Sequence, residues 1–297
     1  MVVLSLHRVS PQGNPFWNPL HPLLFEELLV FIKRHFRVTS LGVPHEDAPR
    51  PPLVLSFDDG YRDFVEYAMP ILQRHGIRAN QNIIPACVET GQPPWTMQLY
   101  DFLQAAPRSL VNEIRLDGFS QRLRSDQDEH KVQYGLALSR FLKHRSRHER
   151  QALWPPIAAV MAKANGTVRQ TPMMRLEDVR TAATVHDIGA HAYAHDSMGL
   201  ESDAFFTDDL ARCQEFFRRQ LARPLTIYAF PNGSYRPEQI SMLQEQGVRH
   251  ILLIDEQLAS PEARILPRLT IYGDSSLELQ FHVLGYRARR SECVSRS

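Results

Sequence analysis

Two neighbouring carboxylates follow one short apolar run of this chain, and two histidines follow another. The stretch "VLSFDDGY" contains Asp58 and Asp59, and the stretch "DIGAHAYAH" contains His191 and His195. Two imidazoles and a carboxylate form a ligand set suited to a catalytic divalent metal with positions left open for water and substrate. We therefore predict a metal site on Asp59, His191 and His195.

Each of these stretches also has a simpler interpretation. "DDG" is common in plain turns, where aspartate accepts backbone hydrogen bonds and glycine takes a positive φ. Paired histidines spaced as in "HAYAH" also occur on ordinary helix faces. The metal interpretation is favoured because two adjacent carboxylates at the end of a buried strand need cationic or hydrogen-bonding partners nearby. A metal ion supplies such a partner.

The two aspartates can take different roles. If Asp59 binds the metal, Asp58 is able to accept a proton from a water whose pKa the ion has lowered. These residues therefore predict metal-assisted hydrolysis with Asp58 as the general base. Zinc is the expected metal, although the same ligands also accept iron, cobalt or nickel.

Short apolar runs alternate with helical patterns along most of the chain, which is typical of βα units around a parallel sheet. Seven or eight strands are predicted: "VVLSL", "RVTSL", "LVLSF", "IRANQNIIPA", "DIGA", "LTIYAF", "VRHILLI" and "RILPRLTIY". That number suffices for a closed βα barrel, in which the loops after the strands share one face and form the active site. His7, Asp58, His191 and Pro231 follow four of these strands, so we expect them to converge.

The alternation breaks between about residues 95 and 174, where helical patterns and a basic cluster, "KHRSRHER", replace the strands. We predict a helical insertion in one βα connection of a single domain that spans residues 1–297. The basic cluster has two interpretations, a solvated helix face or a lid or partner surface. Trp95, at the start of the insertion, could stack on a sugar ring or pack in a core.

The composition narrows the classes of partner and the compartment. The chain has 34 Lys and Arg against 33 Asp and Glu, a formal net charge of +1, so no global field attracts nucleic acid or an anionic membrane. A neutral substrate such as a sugar fits that balance. No stretch reaches the roughly 20 apolar residues of a membrane helix, and the first residues do not resemble a signal peptide. We therefore expect a cytoplasmic protein, and its oligomeric state stays open.

The sequence resembles the polysaccharide deacetylases, a family that removes N- or O-acetyl groups from sugars. The first motif of that family, (T/S)FDDG, is matched by "SFDDG", and the second, H(S/T)xxH, by "HAYAH". The third motif, RxPY followed by Gly, is loosely matched by "AFPNG". The stretches "LHRVSP", "MMRLEDVR" and "LPRLTI" extend the resemblance over nearly the whole chain.

The resemblance implies an α/β fold, a distorted (β/α)7 barrel, here with a helical insertion. It also implies roles for the residues above: Asp58 is the general base, and the metal ligands are Asp59, His191 and His195. The third motif would contribute a backbone N–H after Pro231, that of Asn232, which helps to hold the tetrahedral oxyanion. Tyr61, directly after "DDG", joins the candidate substrate contacts.

The chain departs from the family pattern at two of these motifs. Ala192 stands where the second motif has Ser or Thr, so a hydroxyl that would steady the second histidine is missing. The third motif lacks the arginine that contacts the base. Arg268 in "LPR" is our candidate replacement, because it borders a strand and could keep Asp58 ionised. A purely structural arginine is the alternative.

The family's C-terminal motif, LxH, carries the general acid and has no counterpart at this end of the chain. "LSLH", near the N-terminus, is similar to it, and some members of the family look circularly permuted in this way. We therefore predict His7 as the general acid that protonates the leaving amine. The alternative is a buried histidine that braces the barrel mouth.

Together these inferences predict a hydrolase that removes an acetyl group from an N-acetylated sugar, in a polysaccharide or a glycan precursor such as those of exopolysaccharide biosynthesis. One alternative is a catalytically silent carbohydrate-binding barrel in glycan biosynthesis. A second is a metal hydrolase that acts on another amide, such as a formyl group or a cyclic imide.

Overall fold

The chain forms a curved parallel β-sheet with helices packed around it. The computed structural model describes residues 1–43, 49–164, 166–286 and 288. Within these ranges the strands are β1 (Val2–Leu6), β2 (Arg37–Val38), β3 (Pro52–Phe57), β4 (Asn80–Ile83), β5 (Asp187–Ala190), β6 (Ile227–Ala229), β7 (His250–Leu252), β8 (Ile265–Leu266) and β9 (Leu269–Thr270).

Helices follow most of the strands and cover the outer face of the sheet. They are α1 (Pro22–His35), α2 (Met69–Arg74), α3 (Pro85–Thr90), α4 (Trp95–Ala105), α5 (Arg108–Val111), α6 (Asp128–Lys143), α7 (Arg147–Lys163), α8 (Leu176–Ala182), α9 (Asp203–Leu221), α10 (Pro237–Glu245) and α11 (Ser276–Val283). None of the helices in the described ranges has the length and apolar character needed to span a lipid bilayer.

The sheet closes on itself through one extended segment near the C-terminus. The strand order is β8-β7-β6-β5-β4-β3-β1-β9, and every pair is parallel. The two outermost strands, β8 and β9, are separated only by Pro267 and Arg268, so the same segment pairs first with β7 and then with β1. Counting β8 and β9 as one position gives seven positions around the ring, with β2 as a short addition beside β3. The predicted distorted (β/α)7 barrel is confirmed.

Both faces of the strands are buried, as expected of a parallel sheet in a barrel. In β1, Val2, Leu4 and Leu6 pack with the surrounding helices, whereas Val3 belongs to a small apolar cluster inside the barrel. Ser5 also points inward and is fully buried. The interior is therefore apolar at one end and polar towards the carboxyl ends of the strands.

Most predicted strands occur where their patterns placed them, but "RVTSL" forms only the two-residue strand β2. The helix after β3 begins as a π-helical turn, Phe64–Ala68, and becomes α-helical at Met69. Pro70 lacks a backbone N–H and lies in the first turn of α2, where that group is not needed. The proline thus marks a late start of the α-helix.

The helical insertion lies between β4 and β5 and contains α4 to α7. Its own apolar core includes Leu99, Phe102 and Leu138, all fully buried. Gly135 permits the close approach of α6, because a Cβ at this position would lie 2.5 Å from the ring of Phe16. The insertion is therefore packed tightly against the N-terminal part of the barrel.

The described cysteines, Cys87 and Cys213, are buried thiols without a disulfide. Cys293 lies outside the described residues.

Candidate active site

The residues that follow the strands meet at one end of the barrel. Leu6 of β1 lies opposite Phe57 of β3, and the Asp58 N–H donates to the Leu6 carbonyl at 2.9 Å, so His7 and Asp58 leave neighbouring strands at the same level. A cavity of about 330 Å³ opens there. Among the predicted site residues, those that line it are His7, Asp58, Asp59, Tyr61, His191, His195 and Asn232.

Asp59, His191 and His195 form a compact, buried group of metal-type ligands. Asp59 Oδ1 lies 3.5 Å from His191 Nε2 and 3.4 Å from His195 Nε2, and the three ligand atoms all lie within 4.8 Å of one another. His191 Nδ1 is 2.9 Å from the carbonyl oxygen of Ala229. Because a carbonyl only accepts, Nδ1 carries the proton and Nε2 directs its lone pair towards the centre of the group.

The donor set fits a divalent metal. Asp59 Oδ1 is buried and has no hydrogen-bond partner among the described residues. A buried carboxylate oxygen without a donor is costly, and an ion between the three side chains would remove that cost. Two neutral imidazoles and one carboxylate match the donors preferred by zinc and by the neighbouring first-row metals.

The backbone is strained at the same residues. Asp59, Ala192 and His195 have positive φ values of 75°, 54° and 61°, a region that residues other than glycine rarely adopt. Such strain concentrates at functional sites. His195 Nδ1 is buried and lacks a hydrogen-bond partner in the described structure, which agrees with the absence of a hydroxyl at position 192. The second histidine is thus held by its backbone more than by a side-chain partner.

Asp58 is held by a buried, bidentate ion pair. Arg268 Nη1 and Nη2 donate to the two carboxylate oxygens of Asp58, each at 2.8 Å, and the Arg268 side chain is fully buried. Arg268 Nε donates to the carbonyl of Leu253 at 3.0 Å, and Asn82 Nδ2 donates to Asp58 Oδ1 at 2.7 Å. These bonds fix both the position and the orientation of the carboxylate.

Asp58 is therefore ionised although it is buried. Burial by itself raises the pKa of this carboxyl, but the positive charge of Arg268 and its hydrogen bonds outweigh burial and hold the pKa well below its usual range. Burial likewise opposes ionisation of Asp59, and the neighbouring imidazole of His195 reverses that effect, so the pKa of Asp59 is also lowered. Both aspartates can act as bases or ligands at neutral pH.

His7 lines the same cavity as the metal-ligand candidates, and its ring contacts Trp17. The two rings meet edge to face, with centroids 4.9 Å apart. Burial lowers the pKa of His7, and the negative charges of Asp59 and Asp58 oppose that effect. The imidazole is therefore close enough to both carboxylates to interact with their charge.

The third motif forms a tight turn at the edge of the cavity. Residues Pro231–Gly233 make one turn of 3₁₀-helix in which Asn232 has a φ of 57°. Asn232 lines the cavity and donates from Nδ2 to Ser197 Oγ at 3.2 Å, whereas Pro231 is buried and is not among the lining residues.

Tyr61 also lines the cavity, and the guanidinium of Arg8 lies 5.0 Å from the centre of its ring.

The insertion completes the wall of the cavity, with residues that the sequence did not identify. The cavity that contains the metal-ligand candidates is also lined by Thr96, Met97 and Tyr100 of α4 and by Lys143 at the end of α6. An amphipathic pattern shows which face of a helix is apolar, but it does not show what that face covers. The signal available in advance was the basic cluster itself, which begins at Lys143.

The basic cluster is not simply a solvated helix face. Arg147 and Arg150 both form ion pairs with the buried carboxylate of Asp196, which directly follows the metal-ligand candidate His195. Two ion pairs therefore connect the insertion to the loop that carries both histidines. Trp95 contacts Trp154 edge to face and lies 5.2 Å from the Arg150 guanidinium, so it lines a neighbouring cavity of about 250 Å³.

A further cavity of about 450 Å³ extends the site in another direction. It shares His7, Trp17 and Thr270 with the central cavity, so the two form one cleft. Its walls include Tyr272 and Asp274. Trp17 and Tyr272 are 38% and 43% exposed, which leaves aromatic surface in contact with the cleft.

Comparison with known sequences supports the resemblance seen in the motifs. The sequence model of the polysaccharide deacetylase family matches residues 162–251, a stretch that contains both histidines and the "AFPNG" turn. A search of curated proteins returned no sequence match. The predicted resemblance to the polysaccharide deacetylases is confirmed over these residues.

Solved structures share the fold over almost the whole chain. The deacetylase PplD of Streptococcus pyogenes in complex with acetate has a TM-score of 0.61 at 16% identity, covering 95% of this chain and 97% of that one. IcaB from Ammonifex degensii has a TM-score of 0.58 at 16% identity, covering 95% and 96%. A de-N-acetylase from Aggregatibacter actinomycetemcomitans has a TM-score of 0.57 at 15% identity, covering 93% and 98%. At sequence identities of 15–16%, the structural similarity shows that this chain shares the barrel fold of these proteins.

Proposed function

We propose that this relative of the polysaccharide deacetylases is a metal-dependent hydrolase that removes the acetyl group from an N-acetylated sugar of a glycan. The observation that carries the proposal is the division between the two adjacent aspartates. Asp58 is ionised and oriented by Arg268, whereas Asp59 faces His191 and His195 with an oxygen that has no hydrogen bond. One carboxylate is thus prepared as a base and the other as a ligand.

The proposed reaction is hydrolysis of the acetamide bond. A divalent metal held by Asp59, His191 and His195 would polarise the acetyl carbonyl and acidify the attacking water. Asp58 takes a proton from that water as it attacks the carbonyl carbon. The backbone N–H of Asn232 donates to the oxyanion of the tetrahedral intermediate. His7 then protonates the nitrogen as the carbon–nitrogen bond breaks, which leaves acetate and a free amine.

The shape of the cleft favours a substrate longer than one sugar. The two cavities that share His7 and Trp17 leave room on one side of the reacting centre, and Trp17 and Tyr272 offer aromatic surface on which sugar rings stack. We propose an oligosaccharide or polysaccharide, with an exopolysaccharide or its precursor as the starting candidate. Cytoplasmic location remains a prediction from the sequence.

The first experiment measures bound metal and acetate release from N-acetylglucosamine oligomers, for the native chain and for Asp58→Asn. Removal of a general base typically lowers turnover by roughly 10²–10⁴-fold. Asp58→Asn should therefore lose acetate release by that factor and retain the metal, because Asp58 is not a ligand. His7→Ala should likewise retain metal and lose turnover.

Other outcomes select the alternatives. Metal binding without acetate release from any acetylated glycan would favour a silent carbohydrate-binding barrel. Hydrolysis of formyl or cyclic imide substrates in place of acetylated sugars would identify a hydrolase of another amide. Acetate release that is unaffected by Asp58→Asn would refute the assigned base.

A further inference from the structure

Lys143 is a cation in the wall of the catalytic cavity that no motif accounts for. It is the last residue of α6, so the insertion supplies it rather than the barrel. The side chain is partly buried and lines the same 330 Å³ cavity as Asp58 and Asp59. Its ammonium makes no hydrogen bond and no ion pair within 4 Å in the described parts of the chain.

The neighbouring cations differ from Lys143 in this respect. Arg268 is paired with Asp58, and Arg8 is paired with Asp63 at 2.7 Å. Two arginines of the same cluster, Arg147 and Arg150, are paired with Asp196. The structure therefore neutralises the arginines around the site and leaves a lysine directed into the cavity.

Burial acts against a charged lysine at this position. It lowers the pKa of Lys143, and the negative charge of Asp59 only partly opposes this effect. Asp59 is also required by the proposed metal, so it is a poor lasting partner for the ammonium. A partly desolvated cation without a protein partner is stabilised by an anion that arrives with the ligand.

The charge balance of the site with a bound metal also favours an anionic ligand. The two carboxylates Asp58 and Asp59 are offset by Arg268 and Lys143, so a divalent ion on the ligand group leaves an excess of two positive charges in the cavity. An excess of one sign in a cavity favours a ligand of the other. The nearly neutral chain as a whole predicted a neutral sugar, but the local balance at the reacting centre differs from the overall balance.

We propose that Lys143 is a specificity-determining residue that binds an anionic substituent, a carboxylate or a phosphate, carried by the substrate near its acetamido group. An ammonium is a compact charge with three rotatable donors, so it accepts either anion without a fixed geometry. The inference rests on the proposed function, because the acetamido group is placed at the metal ligands.

The kinetic test compares the native chain with Lys143→Met, which keeps a long unbranched side chain and removes the charge. The substrates are neutral N-acetylglucosamine oligomers, oligosaccharides that alternate N-acetylglucosamine with glucuronic acid, and N-acetylglucosamine 6-phosphate. We expect the native chain to prefer one of the two anionic substrates. The variant should reduce the ratio of kcat/KM for that substrate over the neutral one by about tenfold or more, mainly through KM.

A matched control is Arg140→Met, which removes an exposed cation from the last turn of the same helix. It should leave the ratio unchanged. The preferred anionic substrate identifies the source of the charge, since the uronic acid carries a carboxylate and the sugar phosphate carries a phosphate.

Equilibrium binding tests the inference without turnover. In the Asp58→Asn background, calorimetry should show that Lys143→Met weakens binding of the preferred anionic glycan by about tenfold and reduces the dependence of its affinity on salt. Absence of acetate release from every glycan would refute the proposed function, and the binding comparison would still decide the role of Lys143.

Three results would overturn the inference. The first is a native chain that binds and cleaves neutral glycans better than both anionic ones. The second is an equal loss of kcat on neutral and anionic substrates in Lys143→Met, which would place the ammonium in the chemistry of the reaction. The third is an unchanged substrate ratio and affinity.

Discussion

The barrel mouth and the helical insertion line the same cavity with different kinds of residue. The barrel supplies most of the ionisable groups, and two of them are held by bonds from or to another strand: Arg268 donates to Asp58, and His191 donates to the Ala229 carbonyl. The insertion supplies Tyr100 and one ammonium, that of Lys143. The groups proposed for chemistry thus lie on the barrel, and the cation proposed to bind an anionic substituent lies on the added element.

The two regions also differ in what holds them together. The upper barrel interior contains a buried polar network in which Asn82 joins Ser56 to Asp58. The insertion has an apolar core that includes Phe102 and Leu138. A buried polar network is sensitive to loss of a single partner, whereas an apolar core tolerates many substitutions of similar volume. Substitutions at the site should therefore have their largest effects in the barrel.

The strongest test of this comparison is Arg268→Met. It leaves Asp58 buried without its counter-charge, and breaking such a pair costs about 3–5 kcal/mol of unfolding free energy. Acetate release should also fall, because burial then raises the pKa of the carboxyl and the base becomes protonated. Urea unfolding and acetate release at pH 7 measure both effects, and Arg264→Met, at an exposed position in the same segment, serves as the control.

The pH dependence of that substitution has a defined sign. In the native chain the pKa of Asp58 is lowered, so its contribution to stability is present above about pH 4 and is lost as the pH falls below it. In Arg268→Met the buried carboxyl gains stability by taking up a proton as the pH falls. The difference between the two chains should therefore shrink from pH 7 towards pH 4. A constant difference would contradict this account.

A smaller effect is expected from Arg150→Met, which tests whether the insertion supports the metal loop. Asp196 would keep Arg147 as its partner at 3.1 Å, so we expect a loss of roughly 1–3 kcal/mol. Because Asp196 directly follows His195, metal affinity should fall about tenfold. Competition with a chelator measures the metal affinity, and Arg140→Met is the control. Unchanged affinity would show that the insertion and the metal loop are independent.

The smallest effect is expected from Ala192→Ser, which restores the hydroxyl that the second motif of the family carries. The Nδ1 atom of His195 is buried and lacks a partner among the described residues. A hydroxyl that reaches it should raise metal affinity by up to about tenfold with little change in stability. Ala194→Ser, in the same loop, is the control, and equal affinities for the two variants would refute the effect.

The sequence predicted the barrel and the residues at its mouth because both depend on short-range signals. "VVLSL" and "DIGA" are strands of the predicted extent, and a residue directly after a strand must lie at the barrel mouth. Arg268 could be proposed for the same reason, since it borders a strand. The bidentate ion pair between Arg268 and Asp58 could not be predicted, because the distance between these two residues depends on how the barrel closes.

The sequence did not show which residues of the insertion turn towards the cavity. The pattern predicted helices between about residues 95 and 174, and the structure contains α4 to α7 there. Whether Lys143 or Arg150 turns inward depends on how a helix rotates over the barrel, and that rotation is set by contacts such as those of Gly135 with Phe16. Periodicity describes one helix at a time and does not record such contacts.

The closing segment of the barrel has a consequence for the order in which this protein folds during synthesis. Residues 264–271 join β7 to β1, and Arg268 pairs with a carboxylate 210 positions earlier in the chain. Until that segment has left the ribosome, β1 and β7 remain open sheet edges, which are prone to pair with other chains. Until then Asp58 also lacks its ion-pair partner, Arg268. The proposed catalytic base is therefore among the last parts of the molecule to be completed, although it is among the first to be synthesised.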